Sequence, residues 1–534
     1  MNFSANYSHE KYWTEIEIFD DDLDFIYNLL LEREAPLTPL EMAREVAVIR
    51  LKRLEAEAQR AAETALASYM PAETYTVGQK LLFPAMGTAV GEVIGTRSGT
   101  NPELGNFSVI EVEFESGLGR REFAAELEDH KLNHPPDTEG DQSPETAEDV
   151  LERFGPSIIQ AIETKLEATE DIVRIAGRWF PKALVADINI GHLNLAEAVL
   201  DVSGGGPLPT SALLEHVDLP ANLDPLLAAF SLDYALQEDD RFDEVGPAGE
   251  TLWYLQRLEP PEVLYTPPRL EYKSIDYDRS ALIDPLRELE IRLDDELSPE
   301  VAHGDEDIRL DGELVIPLLF PHWRVGALPL SRGLSQLFPT AYEAPRIRFI
   351  LIDGHSGDRF PGWVVREQGY VFGLDEWYRR YEIPAGGLVK VTSGDNPGEV
   401  VVEALDRRRR NDWIRTVSIG EGGRIGFTML KQPVGTSYDD LMVVGLIDPV
   451  ALDEAWLRGS QRVMSLDRLV AHVFRELAKL NPQSAVHAQA LYSAVNVIRR
   501  MPPGPIFAEL TTRPYYMHVG DLYWRFEDTA WSQA

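Results

Sequence analysis

The densest run of chemistry-bearing side chains is "DRRRRNDWIRTVSI", where Arg407, Arg408, Arg409 and Arg410 lead to Trp413 and Arg415. Guanidinium forks pair with phosphate oxygens and guanine edges, and an indole beside them stacks on a base or on a guanidinium plane. The run is therefore the first candidate for a nucleic-acid contact. The opposing reading is an internal patch docked on an acidic neighbour in the same chain. A smaller set, Arg499 and Arg500 with Arg513, lies near the C-terminus.

Signals for catalysis are sparse. The eleven histidines are scattered, with no HExxH, no His-x-His and no pair at i and i+4 on one face of an expected helix. His322, His355 and His518 fall in segments that read as β. "GEGGRIG" (420–426) lacks the following helix and acidic ribose partner of a dinucleotide fingerprint, and reads as a hairpin turn. "SGGGP" (203–207) has no Gly-Lys-Ser/Thr ending and is no phosphate loop. The absence of cysteine removes thiolate metal sites, disulfides and a Cys nucleophile together. The expectation is a non-enzymatic protein that requires no cofactor and no metal.

A formal net charge of -39 repels DNA when averaged over the surface, so any nucleic-acid contact must be local, and a basic protein surface is the other natural partner. No basic leader precedes an apolar run, and nowhere do ~18 apolar residues follow one another, so no membrane partner is expected and the chain reads as cytoplasmic.

These side chains need several cores to position them, because 534 residues exceed what one hydrophobic core sustains. Residues 1–70 carry Leu40, Met42, Ala43, Val46, Ile49, Leu51 and Leu54 near helical spacing, with Pro39 suited to a first turn: a helical arm. Residues 72–127 alternate short Val/Ile/Phe runs with Gly, Asn and Pro turns, the pattern of a small β-barrel. Val77, Gly78, Phe83, Pro84, Gly87 and Val93 resemble the plan of CarD-like and KOW-like barrels of transcription proteins. An acidic, Pro-bearing stretch over 128–149 reads as a linker.

Within 150–260, three apolar-periodic helical segments end in "RFDEVGPAGETLWYL", a hairpin with Gly246, Pro247 and Gly249 in its turn. The same order returns over 461–534 and closes on "YYMHVGDLYWRF", where Val519-Gly520 matches Val245-Gly246 and Trp524 matches Trp253. With "LYSAVNVIRR" and "PGPIFAELTTRP" before it, the second copy resembles the HARE-HTH type of winged helix. That resemblance implies two winged-helix units and DNA-linked work. Glu238, Asp239, Asp240, Asp243 and Glu244 crowd the first hairpin, whereas Arg499 and Arg500 end the matching helix of the second. A protein-binding first copy and a nucleic-acid-contacting second copy are expected.

Residues 261–311 read as a linker, and 312–405 as a β-rich domain. Leu328-Pro329, Arg348 through Asp353, Gly357, Trp363, Gly373 to Trp377 and Gly386-Gly387 are similar in order to the DNA-binding pseudobarrel of plant transcription factors and restriction effector domains. A β-rich extension, 406–460, carries the Arg cluster. The fold class expected is α+β multidomain: a helical N-terminal arm, a small β-barrel, and two winged-helix units flanking a β-rich pseudobarrel-like domain. The function expected is a DNA- or transcription-associated regulator whose acidic surfaces grip a basic partner such as RNA polymerase. Two alternatives stand beside it: an acidic protein-interaction scaffold that binds no nucleic acid, and an accessory component of a DNA restriction or defence system.

Overall fold

The computed structural model describes residues 11–64, 67–83, 86, 89–101, 107–114, 119–133, 146–220, 223–298, 312–340, 344–420, 423–460 and 464–531, with the side chains of 57–64, 459 and 460 outside the description. It is a mixed α and β fold with several separate sheets. It divides into two units, Met1–Val173 with Trp179–Ala183, and Arg174–Arg178 with Leu184–Ala534.

In the first unit, α1 (Asp20–Arg33) and α2 (Pro39–Thr64) precede a four-stranded sheet, followed by α3 (Ala147–Glu167). Thr38 and Glu41 cap α2 reciprocally, Thr38 N donating to Glu41 Oε2 at 2.7 Å and Glu41 N to Thr38 Oγ1 at 3.2 Å. The helix does not stand out as an arm: Met42, Ala43, Val46 and Ala47 are buried, and α2 packs against α3. Helix α3 buries Val150, Phe154, Ile158, Ile162 and Leu166, an i, i+4 stripe that needs such a partner. Hence 147–167 belongs with the N-terminal unit rather than with the following helical domain, whose expected start at 150 is corrected. The sheet is an antiparallel meander of β1 (Lys80–Phe83), β2 (Ala89–Ser98), β3 (Ser108–Phe114) and β4 (Arg120–Ala125) around Tyr69, Phe83, Val93, Ile110 and Phe114. No β1–β4 ladder closes it among the described residues. Pro84, Gly87 and most of the 128–149 linker lie outside the described residues. The chain passes between units at the hairpin of β5 (Ile172–Ile175) and β6 (Arg178–Pro181).

The second unit opens with α4 (Ile190–Val202), β7 (Leu208–Pro209), α5 (Thr210–Leu214), α6 (Pro225–Gln237), β8 (Phe242–Glu244) and β9 (Leu252–Leu255), the strands lying in the order β7-β9-β8. After α7 (Asp284–Leu293) comes a seven-stranded sheet holding β10 (Glu313–Pro317), β11 (Ala327–Pro329), β12 (Arg346–Asp353), β13 (Arg359–Val365), β14 (Tyr370–Phe372), β15 (Leu388–Ser393) and β16 (Glu399–Ala404). Its order is β10-β15-β16-β12-β13-β14-β11, antiparallel throughout except between β12 and β16. Ile347, Phe349 and Leu351 alternate inward along β12, as a sheet with one apolar face requires. The short helix α8 (Phe320–Val325) leaves that sheet between β10 and β11 and carries His322, which is therefore helical rather than β. Next come β17 (Asp406–Ile419), β18 (Ile425–Thr436) and β19 (Gly445–Leu446), then α9 (Pro449–Ser460). The chain ends with α10 (Leu466–Ala478), β20 (Ala485–His487), α11 (Ala488–Ile498), α12 (Pro503–Thr512), β21 (Tyr516–Gly520) and β22 (Tyr523–Phe526), whose strands lie β20-β22-β21.

The two copies match at the level of register. Trp253 pairs with Leu208 on one side and Glu244 on the other, and Trp524 pairs with Val486 and His518. Both indoles are buried in the core of their own copy.

Residues 261–298, expected as linker, are corrected: Leu282, Leu286 and Leu289 are buried in the same core as Val470, Phe474, Leu491 and Phe507. A buried ionic knot fixes this segment. Arg500 Nη2 donates to Asp295 Oδ1 at 2.8 Å and Glu296 Oε1 at 2.7 Å, Tyr492 OH donates to Asp295, and His322 Nε2 lies 2.8 Å from Glu296 Oε1. Burial pushes the Glu296 carboxyl up, but Arg500 and His322 outweigh it and hold it low.

Candidate nucleic-acid interface

Strands β17 and β18 form a long antiparallel hairpin whose two ends have different environments. Toward its turn, Ile414, Val417, Ile425 and Phe427 are buried and anchor the ribbon. At its open end the register jumps between Asp406↔Thr436 and Arg410↔Val434. Three residues, Arg407, Arg408 and Arg409, therefore stand against the single residue Gly435. Such a bulge re-aims side chains that a regular strand would send alternately to opposite faces.

The four arginines then divide by role. Arg407 is inward-leaning: its Nη2 donates to Asp412 Oδ2 at 2.5 Å and its guanidinium lies 4.5 Å from the centre of the Tyr438 ring. Arg410 Nε donates to the same Asp412 oxygen at 3.0 Å while its side chain stays 68% exposed. Burial works to raise the Asp412 carboxyl, but hydrogen bonds from Arg410 and Arg407 prevail and hold it below the usual range. Arg409 makes a 3.3 Å exposed pair with Glu382, a contact that solvent screens heavily. Arg408 is exposed and has no ion pair among the described residues.

Trp413 is 64% exposed and pairs across the hairpin with Lys431, which is exposed as well. Exposure of an indole costs the transfer free energy that burial would return, so this position is set by something other than core packing. Lys431 is absent from the sequence-based site, although a signal for it exists. Once "GEGGR" (420–424) is read as the turn, counting back equally along both strands sets residue 431 opposite 413.

The remaining candidates lie elsewhere. Arg415 Nη1 donates to the carbonyls of Met442 at 2.9 Å and Asp440 at 3.1 Å, tying β17 to the following loop. Arg499, the C-cap of α11, donates to Met464 O at 2.7 Å. Arg513 holds Glu509 one helical turn back through two hydrogen bonds of 2.9 and 3.1 Å. Arg500 is 3% exposed in the ionic knot, so its guanidinium does not reach a phosphate: the Arg499-Arg500 patch is corrected to one surface residue and one core residue. What remains is the exposed strip of ribbon carrying Arg408, Arg409, Arg410, Trp413 and Lys431, in which Trp413 and Lys431 lie on the face opposite Arg410.

No group of three or more His, Asp or Glu that could hold a metal ion occurs among the described residues. Nor does any described helix have the length and apolar character to cross a membrane. No family model, curated protein or solved structure compared with this chain matches it.

Proposed function

We propose that this chain is a non-enzymatic, DNA-associated adaptor that contacts nucleic acid through the exposed strip of the β17–β18 hairpin. The observation that carries the reading is the bulge, which gathers Arg408 and Arg409 beside Arg410; further along, the regular ladder pairs a solvent-exposed indole with Lys431. Cations at this spacing meet phosphates, and the indole offers a stacking face to an unpaired base. On a chain of net charge -39 the contact is confined to the strip, and the acidic remainder suits a basic protein partner such as RNA polymerase. The repeated order of helix, strand, two helices and hairpin supports the winged-helix reading. The seven-stranded sheet likewise supports the pseudobarrel reading.

Fluorescence anisotropy of labelled single-stranded and duplex DNA, titrated with the full chain at low salt, tests this. Binding is expected to fall steeply with salt and to weaken in an Arg408→Ala, Arg409→Ala, Trp413→Ala variant. Negligible binding by both proteins at low salt defeats the nucleic-acid role. A protein scaffold is then the better reading, favoured by the carboxylates Asp412 and Glu382 already facing three of the four arginines.

A further inference from the structure

The two copies differ in what lies on the outer face of the three-stranded sheet. In the first, Val245 is fully buried among Val263, Ala327, Trp363, Val365 and Tyr370, with Leu252 and Tyr254 packed on the same cluster. Tyr254 meets Trp363 edge to face at 5.3 Å, Arg348 N donates to Val245 O at 2.8 Å, and Arg346 grips Asp243. The first wing is thus docked, face and edge, onto the seven-stranded sheet of its own chain.

Register assigns three equivalents in the second copy, Met517 for Asp243, Tyr523 for Leu252 and Arg525 for Tyr254, and the shared Val-Gly order adds Val519 for Val245, at a bulge where Gly520 takes the pairing with Tyr523. These are exposed, Met517 by 43%, Val519 by 41% and Tyr523 by 37%. Strand β21 is an edge strand, hydrogen bonded within its sheet to β22 alone among the described residues. A concavity of about 450 Å³ opens beside it, lined by Pro482, Ala485, Val519, Asp521 and Tyr523. Arg525 is exposed, and among the described residues no carboxylate pairs with it.

We propose that this face of the second copy is a docking site for an extended segment of another protein that alternates apolar residues with acidic ones. The first copy supplies the geometry, since the equivalent face and edge there are covered by a β-strand and its aromatic neighbours. The substitutions between copies supply the chemistry. A strand carrying Arg346 and Arg348 suits a face that presents Asp243, and a face that presents Met517 and Arg525 suits apolar and carboxylate side chains instead. An apolar side chain enters the concavity while a carboxylate meets Arg525. This role stands independently of the hairpin's nucleic-acid contact.

The test is panning of a random-peptide phage library on the full chain, followed by anisotropy of a labelled synthetic copy of the most enriched peptide. Enrichment of sequences alternating apolar residues with Asp or Glu is expected. Val519→Asp and Arg525→Glu should each weaken the peptide at least about tenfold, with thermal melting unchanged because both positions are exposed. Met517→Thr gives a milder loss and serves if either of those variants melts early. Panning on Arg525→Glu should shift the acidic positions to Lys or Arg. The proposal is overturned if no sequence is enriched, or if the enriched peptides bind the variants equally. It is also overturned if Val519→Asp instead abolishes a concentration-dependent dimer in sedimentation, or if Arg525→Glu weakens duplex DNA as much as the hairpin variant does.

Discussion

Trp253 donates its indole N–H to Asp233 at 2.8 Å, whereas Trp524, at the matching register position, has no hydrogen-bond partner for its own among the described residues. Thr210 Oγ1 donates to the same Asp233 oxygen, so one carboxyl joins the start of α5, the helix α6 and the β8–β9 hairpin. The first copy has a polar clip at this position, and the second places its buried polar groups elsewhere, at Tyr492 and Arg500.

Burial pushes Asp233 up to about 6 from an ordinary 3.8, against the hydrogen bonds from Thr210 and Trp253. A carboxyl with a raised folded value contributes stability that is complete below its unfolded value and lost as pH rises through its folded one. Stability of the first copy is therefore expected to decline between pH 3.8 and about 6. Asp233→Asn keeps the acceptor oxygen and should flatten that decline, as read by urea unfolding at a series of pH values.

Where the β8–β9 hairpin meets the seven-stranded sheet, Arg346 lies between Asp243 and Glu259, with Nε 3.0 Å from Glu259 Oε2. Burial, then the neighbouring Asp243, push Glu259 up to about 8 from 4.5. By the same sign, this contact loses stability as pH rises from 4.5 through about 8. Hydrogen exchange of residues 242–255 should quicken over that window beyond the intrinsic rate, and Glu259→Gln should remove the excess.

Arg500→Met is expected to cost about 3–5 kcal/mol in denaturant unfolding, because it leaves Asp295 and Glu296 buried without their shared cation. Duplex affinity should not change, since the residue is internal. Adding Asp295→Asn to the variant should return part of the loss.

Arg407 and Arg408 are neighbours with opposite expected phenotypes. Arg408→Ala should lower the slope of log affinity against log salt by roughly one while leaving stability unchanged. Arg407→Ala should barely move that slope, yet it removes the hydrogen bond to Asp412 and the Tyr438 contact, so amide exchange over 406–413 should accelerate.

The repeat was legible because its hairpins are written in alternating aromatic and polar residues around a glycine turn, a signal local enough to survive without any partner. The burial of Arg500 was not legible. "RR" at a helix end reads as one patch, and only the fold carries one of the pair inward to two carboxylates about two hundred residues earlier in the chain. The same limit hid the role of 261–298: Leu282, Leu286 and Leu289 have helical spacing, but the surrounding prolines and charges gave no sign of the core that receives them. Charge totals also said nothing about which hairpin is covered, because that depends on Trp363 and Arg346, residues of the seven-stranded sheet.

The bulge at Arg407–Arg409 also separates the arginine tract from the reading frame of the ribbon. Side chains on a strand change face at every step, and the unbroken ladder from Arg410↔Val434 to Ile419↔Ile425 holds Trp413 outward and Ile414 inward. A change in the number of arginines is taken up where three residues already stand against Gly435, so the tract can vary in length while the indole keeps its face.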